Sequence, residues 1–299
     1  MFTEQRAIFL YSVTPVHMGA GTAFGLIDNP IQREVHTNHP LFAGSGLKGA
    51  MRHAAEQWCK GGNGLVESLF GPESKNASEF AGAVSVGDGV LVAFPIRCLK
   101  RGYAYATSAQ ALARAARLLQ IATGTAPWPS VDDPGSKAIG ASANAAIAGK
   151  LILEAFEYEI TEDPNVKTAA AWLSEHALPE GAQHAFFIDK LREDLVVLPE
   201  DAFGYVVERA TVVEPHVRID DATGTADDGG LFYTENLPPE SLMVTLVMCS
   251  QVRRKDETKS AADVAEQLIS GFDGKLLQIG GDATTGRGQV LLRFVAREG

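Results

Sequence analysis

The sequence predicts an α+β fold, a ferredoxin-like βαββαβ core carrying inserted segments, and three observations predict it. Two strongly apolar, β-branched runs, RAIFLYSV (6–13) and SLMVTLVMCS (241–250), read as strands. A helical pattern follows each of them, LKGAMRHAAEQWCK (47–60) and KSAADVAEQLISGF (259–272). Further strand-like segments follow each helix: AVSVGDGVLVAFPI (83–96) after the first, and KLLQIGG with GQVLLRFVA (275–281 and 288–296) after the second.

The elements justify themselves in order. The first strand runs into Pro15 and a glycine-rich connection (14–46), longer than structureless loops usually are and so expected to be functional. The helix at 47–60 has an apolar face of Leu47, Met51, Ala55 and Trp58, with Ser45 as its expected cap and Gly61-Gly62 as its stop. In 83–96, Gly87-Asp88-Gly89 marks a hairpin turn or a bulge. SAQALARAARLLQIA (108–122) is a helix started by Ser108 and stopped by Gly124. The stretch 124–150 has no clear period and reads as loop or insertion, whereas LILEAFEYEI (151–160) alternates as one strand does. A helix is expected near 166–178. Residues 204–239 read as two strands around an acidic, glycine-containing tip. The whole of 1–299 reads as one domain, with 108–202 as a helical and mixed insertion.

Composition narrows the function classes. With 45% hydrophobic and 21% charged residues the chain is an ordinary globular sequence. No apolar run reaches the ~18 residues of a membrane span, and no secretion signal is evident at the start. Cys59, Cys98 and Cys249 are odd in number and far apart, which suits a reducing cytoplasm better than a disulfide framework. A formal charge of −11 argues against a uniformly basic coat for nucleic acid. It leaves room for a local basic groove, and Lys48, Arg52, Arg97, Lys100, Arg101, Arg114 and Arg117 do gather in the first half.

Two segments look built for phosphate. Lys48 and Arg52 are four apart on one helical face, where like charges repel, and they follow the Gly44-Ser45-Gly46 turn. Free N–H groups at a helix start and two cations make an anion site; a solvated basic face is the plain alternative. The second is GGDATTGRG (280–288), whose glycines let backbone approach a ligand and form an anion-binding nest with Thr284, Thr285 and Arg287. It lacks the GK[ST] of a P-loop, and its GGD lacks the further acids of a nucleotide cyclase. A tight hairpin would need fewer glycines. His36 and His39 offer two zinc ligands, but no Cys flanks them and Pro40 extends the backbone, which disfavours a structural zinc site. His17, in TPVHMGAG, reads as a loop residue near a ligand. Asp28, in GLIDNPIQRE, is by its context an Asx-turn former before Pro30, and becomes reactive only beside a phosphodiester.

Taken together these pieces resemble the RAMP-superfamily backbone subunit of type III-B CRISPR effector complexes, the Cmr complex. The resemblance runs nearly end to end: TPVHMGAG, GLIDNPIQREVHT, FAGSGLKGAMRH, LFGPE, LVAFPIRCLKRGYAYATS, GGLFYTENLP and LQIGGDATTGRGQV. It implies an RRM-like palm with a β-hairpin thumb at 204–239, and a chain whose copies stack into a helical backbone along a guide RNA beside other Cmr subunits. It implies that paired target RNA is cut at regular intervals, with Asp28 in the 14–46 loop as catalytic acid and His17 and Glu235 supporting it. Guide phosphates would lie on Ser45, Lys48, Arg52, Gly280, Gly281, Thr284, Thr285, Gly286 and Arg287. A divalent metal, Mg²⁺ by preference, would bind with the RNA, with Asp28 as its protein ligand. Rival expectations are a non-catalytic RNA-binding subunit and a stand-alone guide-processing ribonuclease using His17 as base.

Overall fold

The structure is a computed structural model that describes residues 2–21, 26–58, 64–72, 80–254 and 257–296. Strand β1 (Glu4–Ser12) leads through a long loop to β2 (Leu41–Phe42), α1 (Gly44–Trp58) and α2 (Gly64–Phe70). Then come β3 (Val84–Val86), β4 (Gly89–Cys98), β5 (Gly102–Thr107) and α3 (Ala109–Thr123). The middle of the chain holds β6 (Ala138–Gly140), β7 (Lys150–Leu153), β8 (Phe156–Glu162), α4 (Pro164–His176), α5 (Ala185–Asp194), β9 (Leu195–Val197) and α6 (Glu200–Arg209). β10 (Val212–Ile219) and β11 (Ala226–Asn236) form a separate two-stranded hairpin. β12 (Leu242–Cys249), α7 (Ala261–Phe272), β13 (Leu276–Gln278) and β14 (Gln289–Phe294) close the chain.

The central sheet runs β13-β14-β1-β12-β4, with antiparallel pairing of β1 to both β12 and β14. β1 therefore lies between two strands from the far end of the sequence, and its apolar run is continuous because both faces are covered. Ile8 and Leu10 face one core, with Leu47 and Met51 of α1 and Val264 and Leu268 of α7. Ala7, Phe9 and Tyr11 face the other, with Leu112 and Leu119 of α3 and Leu173 of α4. The ring of Trp172 on α4 sits 6.1 Å from that of Phe9. α3 and α4 thus cover the sheet face opposite α1 and α7.

Several local expectations are refined. Residues 83–96 are no hairpin: Val86 pairs with Val247 and Val90 with Val244, so Gly87-Asp88 is a bulge in one interrupted edge along β12. The bulge aims Asp88 at α1, where its Oδ1 accepts from Gly44 N at 2.7 Å. Helix α1 therefore starts at Gly44 under an Asp88 cap, and Ser45 lies inside its first turn rather than capping it. Only glycine fits there, because a Cβ on Gly44 would meet the Val86 carbonyl at 2.4 Å. Segment 151–160 is two strands, β7 and β8, reversed at Glu154, whose φ is +50°. Residues 204–209 belong to α6, and the hairpin begins at Val212. α3 has the expected caps, with the Ser108 hydroxyl accepting from Ala111 N and Gly124 at φ +91°. Cys59, Gly61-Gly62, Glu73 and Gly25 lie outside the described residues, as does the side chain of Trp58.

The loop after β1 is fastened to the inserted layer by one ion pair. Both oxygens of Glu34 accept from the Arg114 guanidinium of α3, one of them at 2.6 Å, and Thr37 Oγ1 donates to the same carboxylate at 2.5 Å. Burial alone would raise the Glu34 pKa, but the Arg114 fork and the Thr37 hydroxyl outweigh it and hold it below 4.5. A depressed carboxylate pKa supplies stability that is complete above the unfolded value and lost as pH falls through the native one. The melting temperature should therefore be insensitive to this pair above about pH 5 and fall below it. Glu34→Gln should flatten that acid limb in thermal melts. Glu34→Ala should cost roughly 3 kcal/mol near neutral pH, the low end for breaking a buried pair, because Arg114 stays partly solvated.

Candidate functional site

The long loop after β1 is not free. Gly19 bridges Ile31 and Arg33 bridges Pro40, folding the loop on itself, while Val16 bridges Leu237 and Asn29 bridges Thr234, fixing it to the base of the hairpin. Asn29 N donates to Tyr233 O at 3.0 Å and Glu235 N donates to Asn29 O at 2.9 Å, so residues 28–30 run along β11 as a short added strand. Asp28 sits at this junction and is exposed. Its Oδ2 accepts from Tyr233 N at 2.8 Å. The carboxylate is thus tethered across to the hairpin, whereas the Asx-turn reading placed its hydrogen bond within its own loop. Its other oxygen has no protein partner among the described residues.

Glu235, two residues along the same strand, has the opposite character. It is 2% exposed. Its Oε1 accepts from Arg33 at 2.6 Å and from Thr211 Oγ1 at 2.8 Å, and its Oε2 accepts from Ile31 N at 3.0 Å. Arg33 also donates to Asn38 O and to Val207 O on α6. Both Glu235 oxygens are thereby spent on holding loop, hairpin and helix together. What Glu235 does for Asp28 it does by position.

His17 links this strand to the glycine loop. Its Nδ1 lies 2.7 Å from Glu235 O, and its carbonyl accepts from Gly281 N at 3.0 Å. Gly280, at φ +78°, has no room for a side chain, since a Cβ would meet the His17 carbonyl at 2.2 Å. The nest expected at 280–288 is largely self-satisfied. Thr285, Gly286, Arg287 and Gly288 donate their N–H groups to Asp282, Ala283, Asp282 and Pro15 carbonyls. Gly280, Gly281, Thr284, Thr285 and Gly286 are all exposed, on a loop turned through a short 3-10 segment.

The predicted cations differ in their freedom. Arg52 donates to Glu56 at 3.1 Å and to the Gly71 carbonyl at 2.6 Å, tying α1 to the loop after α2. It stands in the third turn of a helix that begins at Gly44, too deep to share the helix N-terminus with an anion. Arg287 pairs with both oxygens of Glu214 on β10, at 2.6 and 2.5 Å. Lys48 makes no ion pair among the described residues, and burial together with the Arg52 charge lowers its pKa. It lies one helical turn from the exposed Ser45.

No group of three or more His, Cys, Asp or Glu side chains able to hold a metal occurs among the described residues. His36 is exposed, and His39 is buried, with its pKa lowered to about 4 by burial and its ring packed on Phe203. Arg33, Thr211, Glu214 and Tyr233 are site residues that sequence reasoning missed. Arg33 and Thr211 carried no signal beyond polarity. Glu214 alternates with apolar neighbours along VVEPHVRI, and that pattern marks a two-faced strand.

A RAMP superfamily model matches residues 9–291. A curated relative from Pyrococcus furiosus, the CRISPR system Cmr endoribonuclease Cmr4, is 35% identical over 293 residues, covering 97% of this chain and 96% of that one. The CRISPR system CMR subunit Cmr4 of Saccharolobus solfataricus is 24% identical over 98% of this chain and 97% of that one. Among solved structures, oligomeric Cmr4 from Pyrococcus furiosus superposes with a TM-score of 0.76 at 28% identity, covering 99% and 100% of the two chains. A chain of a type III-B Cmr-beta complex bound to cognate target RNA shares the fold at a TM-score of 0.74 and 18% identity, over 98% of each chain. The mixed sheet, the bridged loop carrying Asp28 and the glycine loop against His17 therefore belong to a member of the RAMP superfamily.

Proposed function

We propose that this chain is a backbone subunit of a type III-B CRISPR ribonucleoprotein that binds guide RNA and cleaves the target RNA paired to it. The observation that carries the cleaving role is the split character of Asp28, one oxygen fixed by Tyr233 N–H and the other open to solvent. RNA brings its own nucleophile, the 2′-hydroxyl, so one positioned carboxylate suffices if the backbone is held in line. Asp28 takes the 2′-proton on its free oxygen as the 2′-oxygen bonds to phosphorus; the bond from phosphorus to the 5′-oxygen breaks and that oxygen takes a proton from water, giving a 2′,3′-cyclic phosphate and a 5′-hydroxyl. DNA, which lacks that hydroxyl, binds without being cut.

In this reading the strands β14-β1-β12-β4 with α1 and α7 are the ferredoxin-like palm, and β10–β11 is the thumb. The thumb carries an exposed apolar face of Val213, Pro215, Val217, Leu231 and Tyr233, suited to separating nucleotides. Its acidic tip is partly spent on itself, with Asp220 Oδ1 accepting from Ala222 N and Thr223 N. The sheet face that an RRM offers to bases is buried under α3 and α4, so RNA is left to the loops: Ser45 and Lys48, the exposed part of 280–288, and the hairpin. Arg52 and Arg287 reach phosphate only by leaving their present partners. Copies of the chain share one guide as a helical backbone with the other Cmr subunits, and the oligomeric relative supports that reading. Buried free Cys98 and Cys249, and the lack among the described residues of any helix able to cross a membrane, accord with work in the cytoplasm.

A divalent cation fits here only as a companion of the RNA. Glu235 has no oxygen to give, so Asp28 would be its protein ligand, beside substrate phosphates and water, as Mg²⁺ commonly binds. Such an ion would supply Lewis-acid stabilisation of the phosphorane charge. His17 and Glu235 support Asp28 by fixing the strand to which it is tethered.

In the reconstituted complex, Asp28→Asn should slow target cleavage by about 10²–10⁴-fold while guide binding and assembly persist. Unchanged cutting would reduce the chain to a structural RNA-binding subunit. Cutting of free repeat RNA by the isolated chain would favour a guide-processing nuclease instead. Arg287→Ala should weaken guide binding equally across sequences and lower the slope of log affinity against log salt by about 1. An unaltered slope would mean that Arg287 stays on Glu214 in the bound state.

A further inference from the structure

A cavity of about 430 Å³ opens between α6 and the β7–β8 turn, outside the site described above. Its walls include Phe156 and Tyr205, whose rings stand 5.4 Å apart at 79° and form an aromatic corner. Both rings are unusually exposed, at 43% and 52%. Arg209 lies on the rim, its one ion pair among the described residues made to its solvated neighbour Glu208, an exposed contact too weak to immobilise it. The wall ends at Thr211, whose hydroxyl donates to Glu235 Oε1, and it contains Val206, next to the Val207 carbonyl that Arg33 holds. The cavity is therefore continuous with the clamp that positions the Asp28 loop.

We infer that this cavity seats one nucleobase of the bound RNA, turned out of its stack onto the Phe156–Tyr205 corner with the Arg209 guanidinium over it. The inference rests on the proposed function. Two aromatic rings and a mobile guanidinium are what an unstacked base uses, through its π-face, without regard to sequence. The cavity's size falls within the range of small-ligand sites rather than that of a flat protein contact. A base held here would fix the RNA backbone beside the hairpin base and so set which phosphate meets Asp28.

The test is an abasic scan in the assembled complex carrying Asp28→Asn, so that binding is read independently of cutting. Single abasic nucleotides are placed in turn along the guide and, separately, along the target, and affinity is measured for the otherwise unaltered complex, for Tyr205→Ala and for Tyr205→Phe. The expected result is a loss of about tenfold at one recurring position on one strand, within the range for a lost base–aromatic stack. Tyr205→Ala should show that loss with intact RNA and no further loss at the abasic position, while Tyr205→Phe should behave as the unaltered complex does. The strand that shows the effect identifies the guide or the target as the source of the base. A flat profile, or equal abasic penalties in Tyr205→Ala and the unaltered complex, would overturn the seat while leaving the proposed function standing. Failure of Tyr205→Ala to assemble, with its monomer folded by circular dichroism, would assign the cavity to a neighbouring copy of the chain. Absence of RNA from the purified complex would overturn the proposed function itself.

Discussion

The buried carboxylate of Glu235 is the constraint on which the site depends. A carboxylate at 2% exposure cannot be left unpaired, and its three partners come from two places: Ile31 N and Arg33 on the loop, and Thr211 after α6. Once those donors are in place the loop has one path along β11. Asn29 then falls into register with Thr234, and Asp28 meets Tyr233 N–H. The exposed acid is held still by the buried one two residues along the neighbouring strand. Replacing the set with apolar residues of equal volume could keep the fold, but the loop would lose the hydrogen bonds that fix its register.

A second constraint acts at the scale of the sheet. β1 is apolar on both sides, so the fold needs a layer on each face, and α3 and α4 supply the one that α1 and α7 do not. That burial stabilises the domain and also removes the flat platform on which an RRM stacks bases. Under the proposed function, RNA recognition then falls to the perimeter: the start of α1, the glycine loop and the hairpin. Those are also the places where glycine is required by close approach, at Gly44 against Val86 and at Gly280 against His17.

The core was legible because periodicity reports burial. RAIFLYSV, SLMVTLVMCS and KSAADVAEQLISGF each carry enough apolar residues to name their element, and Ser108 and Gly124 punctuate α3 as their side-chain chemistry dictates. The errors fell where one residue's geometry outweighs a pattern. A continuous run at 151–160 reverses because Glu154 adopts a left-handed conformation, which no alternation announces. Ser45 yields the cap to Asp88, a residue far along the chain brought near by a bulge. In the site, His17 read from its loop as a residue near a ligand, whereas Asp28 stood out from a turn former only through the family motif. Arg33–Glu235, Glu34–Arg114 and Arg287–Glu214 were not legible at all, because each joins segments that only the tertiary fold places together.

The ion pairs also reconcile a charge of −11 with an RNA partner. Arg52 and Arg287 are counterbalanced within the chain by Glu56 and Glu214, which leaves Lys48 as the predicted phosphate-binding cation without an ion pair among the described residues. Binding then proceeds by exchange. A phosphate must take Arg287 from Glu214, a pair whose side chains remain 24% and 28% exposed, so water can solvate the released carboxylate and the exchange costs little. Each copy gains modestly from such an exchange, since the lost pair offsets part of the new contact. Affinity becomes large only when several copies engage one strand and their contributions combine. Under the proposed function, affinity for RNA therefore rises with the number of copies in a row, which would couple recognition of the guide to assembly of the backbone.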